Sequence, residues 1–384
     1  MNQPPGPDRD PGAARPRVSL ARLCLAFLKI GIVGFGGGLG MLAVMRDEIV
    51  SRRRWVGDDQ FGVAVAMGQM LPGPFISNYA QYIGYELRGL RGMTLAGAAL
   101  LLPSFLLMVG LAWCYSRFGT VPVVTSLFAG IQPVVVGILA WATVTIGRDQ
   151  VRSLRAGVIA ALAFAALWLR VDVLWVVLGA GLLGVLLSGA WRGTAACWPW
   201  LLPLAVAAPA RPLAQVLELT LVFLKIGAVT FGSGFAAIPF IQQEVVDVRG
   251  WLTASEFLDG LALSQVTPGP VAKVAAFVGF RVLGLPGALL ATVAVFLPSY
   301  LMLFGLIHVY RRVRQHPLVT GFLSGVMPAV TGMLLTATLT LGQSVVRGPS
   351  DVVVALLALT LLLRFRVAPL WLVLGGAAVG LATG

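Results

Sequence analysis

Two lysines and two glutamines recur at matched positions inside apolar stretches of this chain. Lys29 and Lys225 stand in the same Phe-Leu-Lys-Ile-Gly context, 196 residues apart. A cation embedded in apolar sequence is costly and therefore indicates a function, here the charge balance of an anion. A lysine that snorkels to the membrane interface on its long stem is the alternative. Gln69 and Gln265 could donate hydrogen bonds to an oxyanion without adding charge.

Each glutamine is followed three residues later by a Pro-Gly-Pro triplet. Proline removes a backbone donor and clashes with the preceding helical turn, so each triplet must break or sharply kink its segment. Paired breaks at matching places in two halves indicate the central site of a transporter, with a purely structural kink as the alternative. The six residues are Pro72, Gly73, Pro74, Pro268, Gly269 and Pro270.

Glycine is concentrated shortly after both lysines. A dense run disfavours a continuous helix, because each glycine costs about 1 kcal/mol relative to alanine. An unwound turn before a new helix would aim backbone N–H groups and the positive end of the helix dipole at an anion. Close helix packing through small residues is an equal alternative. The predicted backbone cradle consists of Gly36, Gly37, Gly38, Gly232, Ser233 and Gly234.

Charged residues near these breaks complete the candidate site. Lys273 follows the second triplet at the position where the first half has Ser77, so we expect an asymmetric cavity. Four further charges recur at the edges of the apolar segments. They are interpreted as a gate, a cap or a proton relay, with a solvated charge pair as the alternative. These four are Glu48, Arg53, Glu244 and Arg249.

All of these residues belong to two copies of one unit. Residues 27–74 and 223–270 align without a gap and share 19 identities in 48 positions. After a shift of one residue the correspondence continues through a repeated Leu-Pro-Ser and through matched prolines and glycines. Two apolar copies, each interrupted by glycine and proline, predict a transporter with internal pseudo-symmetry.

The composition indicates a membrane protein. Hydrophobic residues make up 58% of the 384, charged residues make up 11%, and the mean hydropathy is +0.90. About a quarter of an ordinary soluble domain is charged. The net charge of +13 comes from arginines that stand between apolar runs. The positive-inside rule predicts that distribution, and a nucleic-acid partner is not expected.

The sequence contains no constellation typical of an enzyme, a metal site or a cofactor site. The three cysteines are scattered, and the two histidines lie eight residues apart near arginines. Neither a disulfide framework nor a metal site is therefore expected. No Walker or dinucleotide fingerprint accompanies the glycines. A membrane-embedded lipid enzyme would need a clustered nucleophile or paired carboxylates, and a non-transporting scaffold would not need duplicated breaks.

We expect an all-α polytopic membrane protein with two homologous helical repeats, broken or re-entrant helices and about 12–13 membrane segments. Loop arginines change sides between the halves, which predicts inverted repeats. The loop with Arg46 and Arg52–Arg54 departs from that pattern unless the first or second span is re-entrant. Residues 198–209 are either a thirteenth crossing or an interfacial piece. The predicted units are a disordered cytoplasmic segment (1–19), the first repeat (20–190), a connection (191–212) and the second repeat (213–384).

Several motifs occur in both halves: F-L-K-x-G-x-x-x-F-G-x-G, E-x-V-x-x-R, A-x-x-Q-x-x-P-G-P and L-P-S. Together they resemble the chromate ion transporter (CHR) family in its long, two-domain form, over nearly the whole chain after residue 20. The second half matches better. The first half has Gly36–Gly38 and Met41 where the family commonly has Gly-Gly-Pro and a histidine, and Gly68 where it commonly has a cysteine.

The resemblance implies a polytopic inner-membrane protein of bacteria that exports chromate and gives chromate resistance. We expect alternating access around a midplane anion site, with one repeat rocking against the other. The expected partners are the lipid bilayer and chromate or a similar oxyanion, with no cofactor and no metal. A homodimer is compatible with the sequence. A permease for sulfate or another anion, with incidental chromate transport, is the alternative.

Overall fold

The computed structural model describes residues 18–34, 37–189, 211–232, 234–313, 316–365 and 367–383. Gly36 and Ser233 of the predicted cradle lie outside the described residues, as do residues 198–209 and most of the predicted N-terminal and connecting segments. Within the described ranges all regular structure is helical, in fourteen α-helices. The predicted all-α fold with a two-part repeat is therefore confirmed.

The first repeat contributes seven helices. They are α1 (Leu20–Val33), α2 (Gly37–Arg46) with the π-helical turn Asp47–Arg52, α3 (Asp58–Met70), α4 (Phe75–Phe118), α5 (Pro122–Gln150), α6 (Leu154–Trp168) and α7 (Val173–Leu187). Helix α1 ends at the glycine run and α3 ends at the first Pro-Gly-Pro triplet. Both sequence features therefore separate helices, as predicted from their local chemistry.

The second repeat has the same order of elements. They are α8 (Arg211–Val229), a 3-10 turn (Gly234–Ala236), α9 (Ala237–Gln242), a π-helical turn (Gln243–Val248), α10 (Ala254–Val266), a 3-10 turn (Val271–Lys273), α11 (Val274–Val313), α12 (Pro317–Val345), α13 (Pro349–Thr360), a π-helical turn (Leu361–Phe365) and α14 (Pro369–Thr383).

Four segments are long and apolar enough to cross a membrane. They are α4, α5, Val271–Tyr310 and α12, while α6, α7 and α14 are shorter apolar helices. Large apolar side chains such as Leu106, Trp175 and Leu301 remain exposed on the outer surface. In a soluble monomer such a surface would be a liability, but it suits contact with lipid. The protein is therefore a multi-pass membrane protein.

Helices α1 and α2 form a helical hairpin, as expected of a re-entrant segment. Lys29 Nζ and Glu48 Oε2 are 2.7 Å apart, although a straight helix would separate residues 19 positions apart by ~28 Å. The second repeat has the same geometry, because Arg249, just after its π-helical turn, donates to Glu218 on α8 at 2.8 Å. In each repeat the chain therefore reverses direction between the end of the first helix and the start of the second, so Gly34 and Thr230 lie at the tip of a helical hairpin.

The Pro-Gly-Pro triplets form the tips of a second hairpin in each repeat. Tyr79 of α4 packs against Gly68 of α3, and Phe277 of α11 packs against Gly260 of α10. The chain turns again at Arg88–Gly89, where the backbone angles are not helical, and at the matching position of α11. Each of these two helices therefore consists of a short first limb, which packs on the preceding helix, and a long second limb.

Two successive re-entrant hairpins return the chain to the side on which α1 begins. The loop with Arg46 and Arg52–Arg54, and the turn at Arg88, therefore lie on that same side. The corresponding positions of the second repeat hold Gln242, Val248, Arg249, Gly250 and Leu283. With both hairpins re-entrant, this loop would agree with the positive-inside pattern of inverted repeats, and the inversion stays a prediction.

The two repeats exchange their C-terminal hairpins. Helices α6 and α7 of the first repeat pack on α12, and α13 and α14 of the second repeat pack on α5. The exchanged helices touch through their backbones. Gly325 lies against the Ala180 carbonyl, and Gly130 lies against Gly376. Such small-residue contacts hold membrane helices together. Rocking of whole repeats would break them, so we expect a moving unit smaller than a repeat.

Gly325→Ala should weaken this exchanged packing. The new Cβ would overlap the carbonyl oxygen of Ala180, a backbone atom that cannot rotate away. Overpacking costs ~1–3 kcal/mol, so the thermal unfolding midpoint of the purified protein, followed by tryptophan fluorescence, should fall. Gly179→Ala on α7, where a Cβ meets nothing within 4 Å, is the control. Equal midpoints for the two variants would contradict the proposed contact.

Candidate functional site

The hairpin tips meet between the repeats and pair crosswise. The Gly73 N–H donates to the Thr230 carbonyl at 2.5 Å, and the Gly269 N–H donates to the Gly34 carbonyl at 3.1 Å. Gly34 and Thr230 are corresponding residues just after α1 and α8. Each Pro-Gly-Pro tip therefore binds the glycine-run tip of the opposite repeat, and the duplicated breaks form one central junction.

Glycine is required at both Pro-Gly-Pro tips for two reasons. The φ angles of Gly73 and Gly269 are +94° and +103°, a region that residues with a side chain rarely adopt. An added Cβ would also lie 2.7 Å from the Ser299 Cβ at the first tip and 2.6 Å from the Ser104 Cβ at the second. The serine of each Leu-Pro-Ser motif thus packs against the triplet of the other repeat.

A cavity of about 30 Å³ lies at the central junction. Its walls come from both repeats and consist of Pro74, Phe75, Ile76, Gly234, Phe235, Pro270 and Val271. Phe75 begins α4 and Val271 begins the helical turn before α11, so the N-terminal ends of two helices border the cavity. Helix N-termini present unpaired N–H groups and partial positive charge. The border of the cavity therefore favours an anion.

Lys273 is a buried cation beside this cavity, 3% exposed. Its ammonium donates to three carbonyl oxygens, of Thr267 at 2.8 Å, Pro268 at 2.9 Å and Gly269 at 3.3 Å. These three residues directly follow the C-terminal end of helix α10. The ammonium offsets the partial negative charge of their carbonyl groups. The matching Ser77 donates to the Pro74 carbonyl at 2.7 Å. In the part of the chain that the structure describes, no carboxylate pairs with Lys273, so in its protonated form this side chain adds positive charge to the junction.

Five other predicted ligands do not line the cavity. Gly37 and Gly38 form the first turn of α2, and Gly232 follows the end of α8 with a φ of +91°. Gln69 is exposed on α3, Gln265 is half-buried on α10, and neither glutamine lines the cavity. Their hydrogen bonds to an anion stay a prediction, which requires movement of these two helices.

Lys29, a predicted anion ligand, is paired with Glu48, a predicted gate residue of its repeat. Glu48 accepts from Lys29 at 2.7 Å and from Arg53 at 2.7 Å, and Arg53 lies 4.8 Å over the Trp55 ring. Burial alone would raise the pKa of Glu48, but the hydrogen bonds from both cations hold that pKa below its usual value. Two cations and one carboxylate leave a net positive charge, and the Lys29 side chain is 50% exposed.

The second repeat holds a more enclosed cluster of the same kind. Lys225 donates to Glu244 at 2.7 Å and to Asp172 at 2.9 Å. Arg249 donates to Glu244 and to Glu218. Asp172 belongs to the α6–α7 loop of the first repeat, so the exchanged hairpin covers this cluster. Two cations and three carboxylates leave a net negative charge. The roles of both clusters as gates stay predictions.

Lys225→Met should cost more stability than Lys29→Met. Removal of Lys225 leaves Asp172 without its ion pair and Glu244 with Arg249 alone, whereas removal of Lys29 leaves only Glu48, which Arg53 still binds. Hydrogen bonds to charged groups contribute ~1.5–3 kcal/mol each. We expect a clear fall in the thermal unfolding midpoint for Lys225→Met, partly restored by adding Asp172→Asn. A larger fall for Lys29→Met would contradict the difference between the clusters.

Sequence reasoning missed several residues of this site. Ser104 and Ser299 belong to the duplicated Leu-Pro-Ser motif, and that duplication was the signal that could have identified them. Asp172 gave no local signal, because it reaches its partner through the exchange of hairpins. Among the described residues, no group of three histidine, cysteine, aspartate or glutamate side chains is arranged to hold a metal ion.

Comparison with known proteins identifies the family. The family model described as "Chromate transporter" matches the chain twice, over residues 21–185 and 217–381. A "Probable chromate transport protein" of Synechococcus elongatus is 32% identical over 353 residues, 90% of each chain. A "Chromate transport protein" of Cupriavidus metallidurans is 31% identical over 406 residues, 99% of this chain and 98% of the relative.

A third relative, the "Chromate transport protein" of Pseudomonas aeruginosa, is 34% identical over 349 residues, 86% of this chain and 83% of that protein. No solved structure matches the chain. The family model covers most of the sequence in two copies, and the two copies correspond to the two repeats of seven helices that meet at the central junction. The chain therefore belongs to the chromate transporter family.

Proposed function

We propose that this protein exports chromate, or an oxyanion of the same tetrahedral dianionic class, across the bacterial inner membrane by alternating access around the central junction. The crosswise pairing of the hairpin tips through Gly73 and Gly269 carries the proposal, because it brings both duplicated breaks to one place. Two helix N-termini and the buried Lys273 ammonium favour an anion there. The names of the relatives supply the substrate class.

Transport requires the hairpin tips to move. The cavity of about 30 Å³ has room for only ~2 water molecules, so an anion with four oxygens needs a wider opening. The re-entrant hairpins are short and their tips are joined by single backbone hydrogen bonds. The exchanged hairpins on α5 and α12, in contrast, are held by close backbone contact. We therefore assign the alternation to the re-entrant hairpins.

The charge difference between the two ion clusters supports export. The cluster around Glu48 is net positive and lies on the side of Arg46 and Arg52–Arg54, which the positive-inside rule assigns to the cytoplasm. The cluster around Glu244 is net negative and more enclosed. A dianion is attracted to the first entrance and repelled from the second. Lys29 would thus attract the anion at the entrance.

A permease for sulfate or another anion is the second candidate function. Backbone N–H groups and one ammonium at the junction recognise charge and shape, and chromate shares both with sulfate. Nothing in the described junction distinguishes the central atom of the two anions. Substrate choice therefore has to be measured with several oxyanions in parallel.

The deciding experiment is flux of labelled chromate into proteoliposomes that contain the full chain, with and without an imposed proton gradient. We expect saturable chromate flux that protein-free liposomes lack. Sulfate, molybdate and phosphate are added as competitors and then tested as labelled substrates. Faster sulfate flux than chromate flux would favour the permease. Absence of flux for all four anions under both conditions would overturn the proposal.

A further inference from the structure

Asp259 is a buried carboxylate that has no part in the proposed transport mechanism. It lies on α10 and is 4% exposed. It precedes Pro268 by nine residues, which is ~13 Å along the hairpin from the tip. Ionisable side chains inside a membrane protein are costly and mark ion or proton pathways by default. Asp259 therefore needs a role that a packing side chain could not fill.

Two neutral donors hold the Asp259 carboxylate. The Tyr115 hydroxyl donates to Oδ2 at 2.7 Å, and the Gln132 side-chain amide donates to Oδ1 at 2.9 Å. A hydroxyl can reverse its role and accept a hydrogen bond, so Tyr115 can also serve a protonated Asp259. The same partners can therefore bind this side chain in both protonation states, but more weakly when it is a neutral carboxylic acid.

The cations near Asp259 are engaged with other groups and form no ion pair with it in the described residues. On its own helix, Glu256 pairs with Arg281 of α11, and Arg281 lies 5.7 Å from the centre of the Tyr115 ring. The Gln132 amide from α5 also donates to Ser255. Helices α12 and α14, which pack on α10 as well, contain no titratable residue. Lys273, in the turn after the tip, is occupied by backbone carbonyls. No salt bridge neutralises Asp259 within the described residues.

The hydrogen bonds of Asp259 connect the α10 hairpin of the second repeat to the first repeat, and the equivalent α3 hairpin has no acid at this position. Tyr115 and Gln132 belong to α4 and α5 of the first repeat, while Asp259 belongs to the re-entrant α10 hairpin of the second. The corresponding positions are Val63, Tyr310 and Met327, so the α3 hairpin lacks the acid. Helix α10 packs on α5, α12 and α14, whereas α3 packs mainly on α4. The Asp259 carboxylate therefore anchors the α10 hairpin to α4 and α5 of the first repeat, whereas the equivalent α3 hairpin lacks this acid.

We propose that Asp259 is a proton-binding site that couples proton movement to release of the α10 hairpin, an inference that rests on the proposed transport function. Ionised Asp259 holds α10 through charge-assisted hydrogen bonds. A proton from water forms an O–H bond on the carboxylate, removes its charge and weakens those bonds, which frees the hairpin. Return of the proton to water restores them. Because only the second repeat carries an acid at this position, Asp259 contributes one proton to each transport cycle.

Infrared difference spectroscopy of the purified full chain tests the proton site directly. Between neutral and acid pH, a carbonyl band of a protonated, water-poor carboxylic acid should form in the wild type and be absent in Asp259→Asn. Asp58→Asn, which removes an exposed carboxylate paired with Arg46, should keep that band. Tyr115→Phe keeps the carboxylate but removes a donor to its ionised form, so the band should form at higher pH. Persistence of the band in Asp259→Asn would overturn the site.

Coupling is tested in proteoliposomes with labelled chromate outside and a pH-sensitive dye inside. The wild type should move one proton for each anion, and Asp259→Asn should move the anion down its own gradient without a proton signal. A wild-type proton-to-anion ratio in Asp259→Asn would overturn the coupling. If the wild type carries no oxyanion at all, the proposed function fails, whereas the infrared result still decides whether Asp259 binds the proton.

Discussion

Gly269→Ala is expected to abolish nearly all oxyanion flux, and Gly73→Ala is expected to do the same at the opposite tip. Alanine at a φ of +103° is strained, and its Cβ would lie 2.6 Å from the Ser104 Cβ. Strained backbone and overpacking together cost ~3 kcal/mol or more. The tip would then move away from Gly34 and lose its N–H hydrogen bond. We expect at least a hundredfold lower population of the paired junction, because 1.4 kcal/mol corresponds to ~10-fold.

A matched glycine separates the two causes of this loss. Gly284 has a φ of +64°, but a Cβ there would meet nothing within 4 Å. Gly284→Ala therefore introduces backbone strain without a steric clash. In the double variant Gly269→Ala/Ser104→Gly, the strain at residue 269 remains, but the Ser104 side chain with which the new Cβ would clash is removed. Labelled chromate flux in proteoliposomes at equal protein should rank Gly284→Ala highest, the double variant next and Gly269→Ala lowest. Wild-type flux in Gly269→Ala would exclude a role for the crosswise junction.

The positions of the breaks could be predicted from the sequence because their causes are local. Two prolines around Gly73 remove backbone donors and prevent a continuous helix wherever the segment is placed. The duplication at Gly269 then indicates that the break is functional, since chance would not repeat it. The same reasoning located the glycine-run breaks, and the structure has helix ends at all four positions.

The partners of those breaks could not be predicted, because they depend on how the chain folds back. Lys29 stands 19 residues before Glu48, and a straight span would place the two far apart. Their ion pair exists because the glycine run reverses the chain. The pairing of Gly73 with Thr230 crosses between repeats. Single-sequence patterns report local periodicity and contain no information on such long-range contacts.

The differences between the two repeats give a physical reason why the proposed transport could have one direction in a pseudo-symmetric protein. The ion cluster of the first repeat is net positive, and that of the second is net negative and covered by the α6–α7 loop. Asp259 fastens α10 to the first repeat, whereas Val63 offers α3 no such bond. In the proposed transport cycle the two halves would therefore differ in energy, and the anion would meet unlike entrances on the two sides of the membrane.

Lys273→Met is expected to weaken oxyanion binding at least tenfold and to lower stability as well. The substitution removes the buried positive charge of the junction and leaves three carbonyl oxygens at the end of α10 without their donor. A tenfold loss of affinity corresponds to ~1.4 kcal/mol, a modest share of what one unscreened charge contributes in a site with little water. Binding is measured as the chromate-dependent rise in the thermal unfolding midpoint.

Lys273→Gln separates the charge of the ammonium from its hydrogen bonds. The glutamine amide can still donate to two of the three carbonyl oxygens, but it carries no charge. If the charge attracts the anion, Lys273→Gln should unfold closer to the wild type than Lys273→Met does, yet bind chromate as poorly. Ser77→Ala removes one local hydrogen bond at the matching position of the first repeat and should leave binding nearly intact. Wild-type affinity in Lys273→Gln would show that Lys273 only caps α10, and the anion would then depend on the helix N-termini at Phe75 and Val271 alone.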